Sequence, residues 1–142
     1  MKYSTRVSDA AHILVMIALS EDQTLTSDQA AKSINTHPAC VRQLMSQLRN
    51  QGIIHSVKGH PRPALAKPPE EITLLDIYKA VERDKPLLHL NTHTNPACGI
   101  GMNIQYALQD HYDHIQSAAE AAMAECSLAD VIKGYQRRIK LL

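Results

Sequence analysis

A helix bracketed by Pro38 and Gly52, followed at once by a change of hydrophobic period, limits this chain more than any other feature. Proline has no amide proton and a preset φ, so Pro38 suits a first helical position. Glycine suits the left-handed residue just past a helix end, so the helix is expected to run to Gln51. Val41, Leu44, Met45 and Leu48 form one apolar stripe along it. The opposite face offers Ala39, Arg42, Gln43, Ser46, Gln47, Arg49 and Asn50, with no carboxylate among them. Past Gly52 the spacing becomes strand-like: residues 53–57 read as a strand, 58–63 as a tip and 64–66 as a short return.

Upstream, Val7, Ala10, Ala11, Leu14, Val15 and Ala18 recur at spacings of three and four, which predicts a helix over residues 4–19. Glu21, Asp22 and Gln23 break that pattern as a loop. Thr26 with Gln29 fits a capping box, opening a short helix through Ala30, Ala31 and Ile34. Residues 35–37 form the turn before Pro38. Helix, helix, turn, helix and a hairpin with a basic tip is the order of a winged helix-turn-helix. Lys67, Pro68 and Pro69 close that unit, because two prolines block helix continuation.

The arrangement suits DNA. The major groove admits one α-helix, and side chains near its leading end reach the base edges. Arg pairs bidentately with guanine and Gln with adenine, so Arg42 and Gln43, with Gln47 a turn further on, are candidate reading residues. Lys58 and Arg62 on the hairpin tip are candidates for the backbone or a narrow minor groove. Thr26 and Ser27, at a helix N-terminus, are candidates for a phosphate. Singly, each is an ordinary solvated side chain; the turn and the hairpin give them a shared purpose.

Beyond residue 69, Thr73 and Asp76 mark a helix start, and that helix is expected to end near Val81. Residues 84–98 read as irregular, with Pro86, Pro96 and two histidines. From Gly101 to Glu125 no proline and no further glycine occurs, so one long helix is expected. Ile104, Leu108, His111, Ile115, Ala118 and Ala122 step along it by alternating fours and threes, a heptad-like seam. A helix of about 24 residues is about 36 Å long, more than so small a unit covers. Alanine lets a second helix approach closely, so the seam is expected to form a homodimer. Ser127 and Asp130 start a last helix that ends in Lys133, Arg137, Arg138 and Lys140.

Cys40, Cys98 and Cys126 are too few and too widely spaced for a disulfide framework or a structural zinc site. Cys98 lies near the start of the long helix and Cys40 in the first turn of the helix after Pro38. A helix N-terminus favours the thiolate, so both are candidate redox positions, at the sharpest an intersubunit disulfide between them. His111 and His114 share a helix face and raise a metal-responsive alternative, as do His89 and His93. No ligating carboxylate or cysteine stands at the right spacing, so no metal is expected.

Charge divides along the chain. Residues 1–68 hold eight Lys and Arg against four Asp and Glu, and residues 69–142 hold seven against ten. The first part thus carries +4 and the second −3, which suggests an anionic partner for the first. With no Phe or Trp, the core must be aliphatic, which favours helices. GxSxG, P-loop and HExxH motifs are absent, so an enzyme is not expected. No apolar run nears the roughly 20 residues of a membrane span, and the start lacks a signal-peptide core, so a cytoplasmic location is the default.

The segments MKYSTRVSDAAHIL, SDQAAKSINTHPACVRQLMSQLRNQGII and LAKPPEEITLLDIYKAVE resemble the Rrf2 family of bacterial transcriptional regulators. HTNPACGIGMNIQ matches the segment that leads into that family's long dimerisation helix. The resemblance implies a dimeric winged-helix protein, usually a repressor of palindromic operators, with Arg42 and Gln43 in the recognition helix and Arg62 on the wing. Two departures stand out. The wing carries His60-Pro61-Arg62-Pro63 where members usually have glycines. The cluster-binding members place three cysteines before the long helix, and this chain has Cys98 alone, so no iron–sulfur cluster is expected.

The expected fold is mainly α: a winged helix-turn-helix over residues 1–69, with a small β-hairpin wing, and residues 70–142 carrying a connecting helix, a long C-terminal dimerisation helix and a last helix. The expected function is a homodimeric regulator bound to a double-stranded DNA operator. A helical adaptor that uses the fold without DNA is the alternative, because fold does not settle function.

Overall fold

Three reciprocal caps start three of the helices. The Thr26, Thr73 and Ser127 hydroxyls accept from the amides of Gln29, Asp76 and Asp130, whose side chains reach back to the cap amides. Each box satisfies two amides, the cap's own and one in the first turn, that have no partner within the helix. In the computed structural model, which describes residues 3–20, 24–56 and 62–141, the helices are α1 (Arg6–Ser20), α2 (Ser27–Ile34), α3 (Pro38–Asn50), α4 (Leu74–Glu82), α5 (Gly99–Ala124) and α6 (Leu128–Lys140). Strands β1 (Ile54–Ser56) and β2 (Pro63–Leu65) lie between α3 and α4.

Helix α3 begins and ends as its punctuation requires. Pro38 opens it behind His37, whose ring Nδ1 accepts from the Ala39 amide at 3.1 Å. At the far end Gly52 takes φ +71°, the Gly52 amide donates to Arg49 and the Ile53 amide to Leu48, both at 3.0 Å. That pair of bonds is a Schellman closure. It delivers the chain straight into β1, which pairs antiparallel with β2 in the register Ile54 to Leu65, His55 to Ala64 and Ser56 to Pro63. Ile54 is buried and Leu65 packs against the same core, so the hairpin is rooted. Residues 57–61 lie outside the described residues, and the candidate Lys58 with them.

One aliphatic core joins both parts of the chain. Ala10, Ile13, Leu14 and Ile17 of α1 meet Val41, Leu44, Met45 and Leu48 of α3, Ile77 and Val81 of α4, and Leu128 at the start of α6. Leu128 arrives there because the chain before α6 pairs with the chain before α4: its amide donates to Ile72 at 2.7 Å, and the Leu74 amide donates to Cys126 at 2.8 Å. Helix α5 contributes nothing buried. It begins two residues earlier than expected because the Cys98 thiol caps it, accepting from the Gly101 amide at 3.5 Å. The segment before it folds back on its first turns, where a Cβ on Gly101 would stand 2.8 Å from the Asn95 carbonyl oxygen.

The end of α4 is less regular. Arg83 has φ +58° and ψ −122°, and the Lys85 amide donates to Glu82 at 3.2 Å, which makes residues 82–85 a type II′ turn. That position normally belongs to glycine, and a bulkier residue there is strained. Arg83→Gly is therefore expected to raise stability by about 1 kcal/mol, seen as a higher urea midpoint. A lower midpoint would mean that the Arg83 side chain more than repays the strain.

Candidate nucleic-acid interface

Helix α3 is divided lengthwise. Val41, Leu44, Met45 and Leu48 are buried, while Ala39, Cys40, Arg42, Gln43, Ser46, Arg49 and Asn50 are exposed. Arg42 and Gln43 sit in the first turns behind Pro38, at the leading end of the helix. Two arginines and no carboxylate stand on that face, so its field is positive. Arg62, immediately before β2, is exposed. Thr26 is exposed with its oxygen engaged in the cap, and Ser27 is half-buried as the first residue of α2.

Gln47 stands elsewhere than its position on the open face suggests. It is half-buried on the flank toward α1 and α4, where its side-chain oxygen accepts from Arg6 Nη2. The same guanidinium donates to Gln43 Oε1 at 3.5 Å and, through Nε, to the Val81 carbonyl at 3.0 Å. Arg6 thus ties α1, α3 and α4 together behind the exposed face. Sequence reasoning passed over it, since its partners lie 37, 41 and 75 residues away.

On α5, Ile104 is 37% and Ile115 is 45% exposed. His111, Ala118 and Ala122 are exposed and Leu108 is half-buried. Ile100, Met102 and Tyr106 add large exposed apolar groups to the first turns, outside the seam read from spacing. The other side of α5 lies against α4: Gln116 Nε2 donates to the Tyr78 hydroxyl at 3.0 Å, and that hydroxyl donates to the Lys85 carbonyl at 2.7 Å.

All three cysteines are free thiols, Cys40 and Cys98 exposed and Cys126 half-buried. The Gly101 amide first, and the Ile100 amide second, hold the Cys98 thiol below its ordinary pKa. A lowered pKa puts more of the group in the reactive thiolate below the usual titration range. Alkylation of Cys98 by iodoacetamide, followed by peptide mass spectrometry, should therefore reach half its maximal rate at lower pH in the folded protein than in urea. Coincident profiles would show that the cap does not act on the thiol.

A helix-turn-helix followed by a rooted hairpin, with a positive outward face on its third helix, defines a winged-helix protein of the transcription-regulator class. Residues 3–134 match Rrf2, described as an iron-dependent transcriptional regulator. The chain is 36% identical over 129 residues to YwnA of Bacillus subtilis (strain 168), whose name provisionally places it among HTH-type transcriptional regulators; the match covers 91% of this chain and 96% of that one. A crystal structure described provisionally as a DNA-binding protein superposes with a TM-score of 0.71 at 36% identity, over 89% of this chain and 98% of the other. CymR, the global cysteine regulator of B. subtilis, shares the fold with a TM-score of 0.66 at 22% identity, over 94% and 97%. This chain belongs to the Rrf2 family, whose members are transcriptional regulators and not enzymes.

The iron in the family description meets a poor donor set here. Thiolates are the usual ligands of iron–sulfur clusters. Cys98 is alone in the segment before α5, with Cys40 on α3 and Cys126 ahead of α6. Among the described residues no three His, Cys, Asp or Glu side chains are grouped to hold a metal ion. None of the helices among them is long and apolar enough to cross a membrane.

Proposed function

We propose that this chain is a homodimeric repressor that binds a palindromic operator, with α3 of each subunit in successive major grooves. The observation that carries this reading is the exposed, carboxylate-free face of α3, with Arg42 and Gln43 at its leading end. In it, Arg42 and Gln43 read bases, Gln47 backs them, and Arg62 and Lys58 on the wing follow the backbone or the minor groove. Thr26 and Ser27 approach a phosphate at the start of α2. Residues 1–69 serve as the DNA-binding unit and residues 70–142 as the pairing unit. The exposed apolar groups of α5, Ile104 and Ile115 on the seam with Ile100, Met102 and Tyr106 beside it, support pairing, because single subunits rarely leave so many in water on one helix.

No iron–sulfur cluster takes part in this reading, for want of ligands. A thiol signal is its finer branch: peroxide takes two electrons and two protons from Cys98 and Cys40 of the partner subunit, forms a disulfide, leaves as water, and so displaces α3. The lowered pKa of Cys98 supports that branch, and a Cys98 that alkylates no faster than a free thiol removes it.

Arg42→Ala is the test of the reading role. Bidentate loss is expected to cost about 1–3 kcal/mol and to relax preference at one base pair, measured by titrating single-base operator variants. A uniform loss over all variants, with the salt slope reduced by about one, would make Arg42 a phosphate contact instead.

A further inference from the structure

Behind α3 runs a polar groove, lined in part by Gln43 and Gln47, whose cationic residues the DNA reading leaves unused. Two adjoining pockets, of about 590 and 650 Å³, share Gln47, Arg83, Asp84, Lys85 and Pro86. The larger is lined by the Arg6 guanidinium and by Gln43, the smaller by Gln116 and Glu120 of α5. The groove therefore touches both the reading helix and the helix with the apolar seam.

Its charges are unevenly matched. Arg6 donates to two amide oxygens and one carbonyl oxygen, all neutral. The ion pairs among the described residues are Lys67 with Asp76 and Lys79 with Glu120, and neither involves Arg6, Arg83 or Lys85. Of the carboxylates in the groove, Glu120 is held by Lys79, Glu82 accepts from the Ser4 hydroxyl, and Asp84 shares the turn with Arg83 and Lys85. Three cations, Arg6, Arg83 and Lys85, thus share the groove with two carboxylates that no ion pair holds, Glu82 and Asp84, which leaves one positive charge over. Arg83 also keeps a backbone conformation that costs energy, and strain of this kind collects at functional sites.

We propose that this groove binds a small carboxylate-bearing metabolite between Arg6 and Arg83, and that occupancy alters operator binding by drawing Arg6 away from Gln43 and Gln47. A carboxylate is a stronger acceptor for a guanidinium than a neutral amide oxygen, so an incoming anion displaces the two glutamines. Gln43, released, loses the contact that orients it at the leading end of α3. The second half of the proposal rests on the regulator reading above; the binding half does not.

Calorimetric titration with citrate at constant ionic strength tests the site. Saturable binding at millimolar citrate or below is expected, at least tenfold weaker in Arg83→Gly and in Arg6→Gln. Arg83→Gly keeps the test sound if Arg6→Gln fails to fold, since glycine suits that turn. Absence of saturable heat, or equal affinity in Arg83→Gly, overturns the site. Operator titration with and without citrate tests the coupling: a shift of at least threefold is expected in the parent and none in Arg83→Gly. Citrate binding with an unmoved operator affinity overturns the effector role. A loss of salt slope in Arg6→Gln, with no citrate heat in the parent, hands the groove to the DNA backbone and overturns the proposal. Failure to bind any operator, with citrate binding intact, overturns the regulator reading and leaves the site standing.

Discussion

Ile115→Glu is expected to turn the proposed dimer into monomers and to weaken operator binding by about 10²–10⁴-fold. Ile115 is 45% exposed, midway along a 26-residue helix with no fully buried side chain of its own. A helix of that length is about 39 Å long and presents Ile104, Leu108, Ile115, Ala118 and Ala122 along one seam. In the proposed pair a glutamate placed there would lose its water against the partner helix, a cost that apolar contacts do not repay. Two linked half-site contacts act at high effective concentration, and splitting the pair forfeits that gain. The subunit itself should keep its stability, because Ile115 lies outside the aliphatic core. Sedimentation gives the mass and titration the affinity; a monomeric variant with undiminished affinity would place the pairing elsewhere.

Leu48→Ala carries the second large effect, on stability. Leu48 is fully buried on the inner face of α3, and its carbonyl accepts the Ile53 amide that closes the helix. Truncating such a leucine costs about 2–5 kcal/mol, against a whole-domain stability of about 5–15 kcal/mol. The urea midpoint should fall accordingly. Below that midpoint base preference should remain as in the parent, because Arg42 and Gln43 stand on the other face. Arg42→Ala is expected to do the reverse: Leu48→Ala destabilises the fold and keeps the base preference, whereas Arg42→Ala changes the base preference and keeps the stability. Leu48→Ala with altered base preference would mean that the two faces of α3 are not independent.

Local chemistry made much of this fold legible. Thr26 with Gln29, Thr73 with Asp76 and Ser127 with Asp130 announce their helices because a capping box is satisfied within four residues. Pro38 and Gly52 bracket α3 for the same reason, each acting on its own backbone angle. The stripe on α3 separates inward from outward side chains by period alone, and Gln47 shows the limit of that reading. A helical wheel puts it on the polar side, yet α1 and α4 close over that flank and supply Arg6 as its partner. Neither the Arg6 bridge nor the pairing of the chain before α4 with that before α6 has a short-range signal, since the partners meet only once the core has formed. The type II′ turn at Arg83 was hidden for the opposite reason: its local residue preference points away from arginine.

The central claim, that two outward copies of α3 read one duplex together, is tested most directly by selecting bound sequences from random DNA. The account predicts an inverted repeat with half-site centres about one helical turn, roughly 10–10.5 base pairs, or a multiple of it apart. Its inner base preferences should relax in Arg42→Ala. Recovery of a single unsymmetrical site, or of no enriched sequence at all, would contradict it.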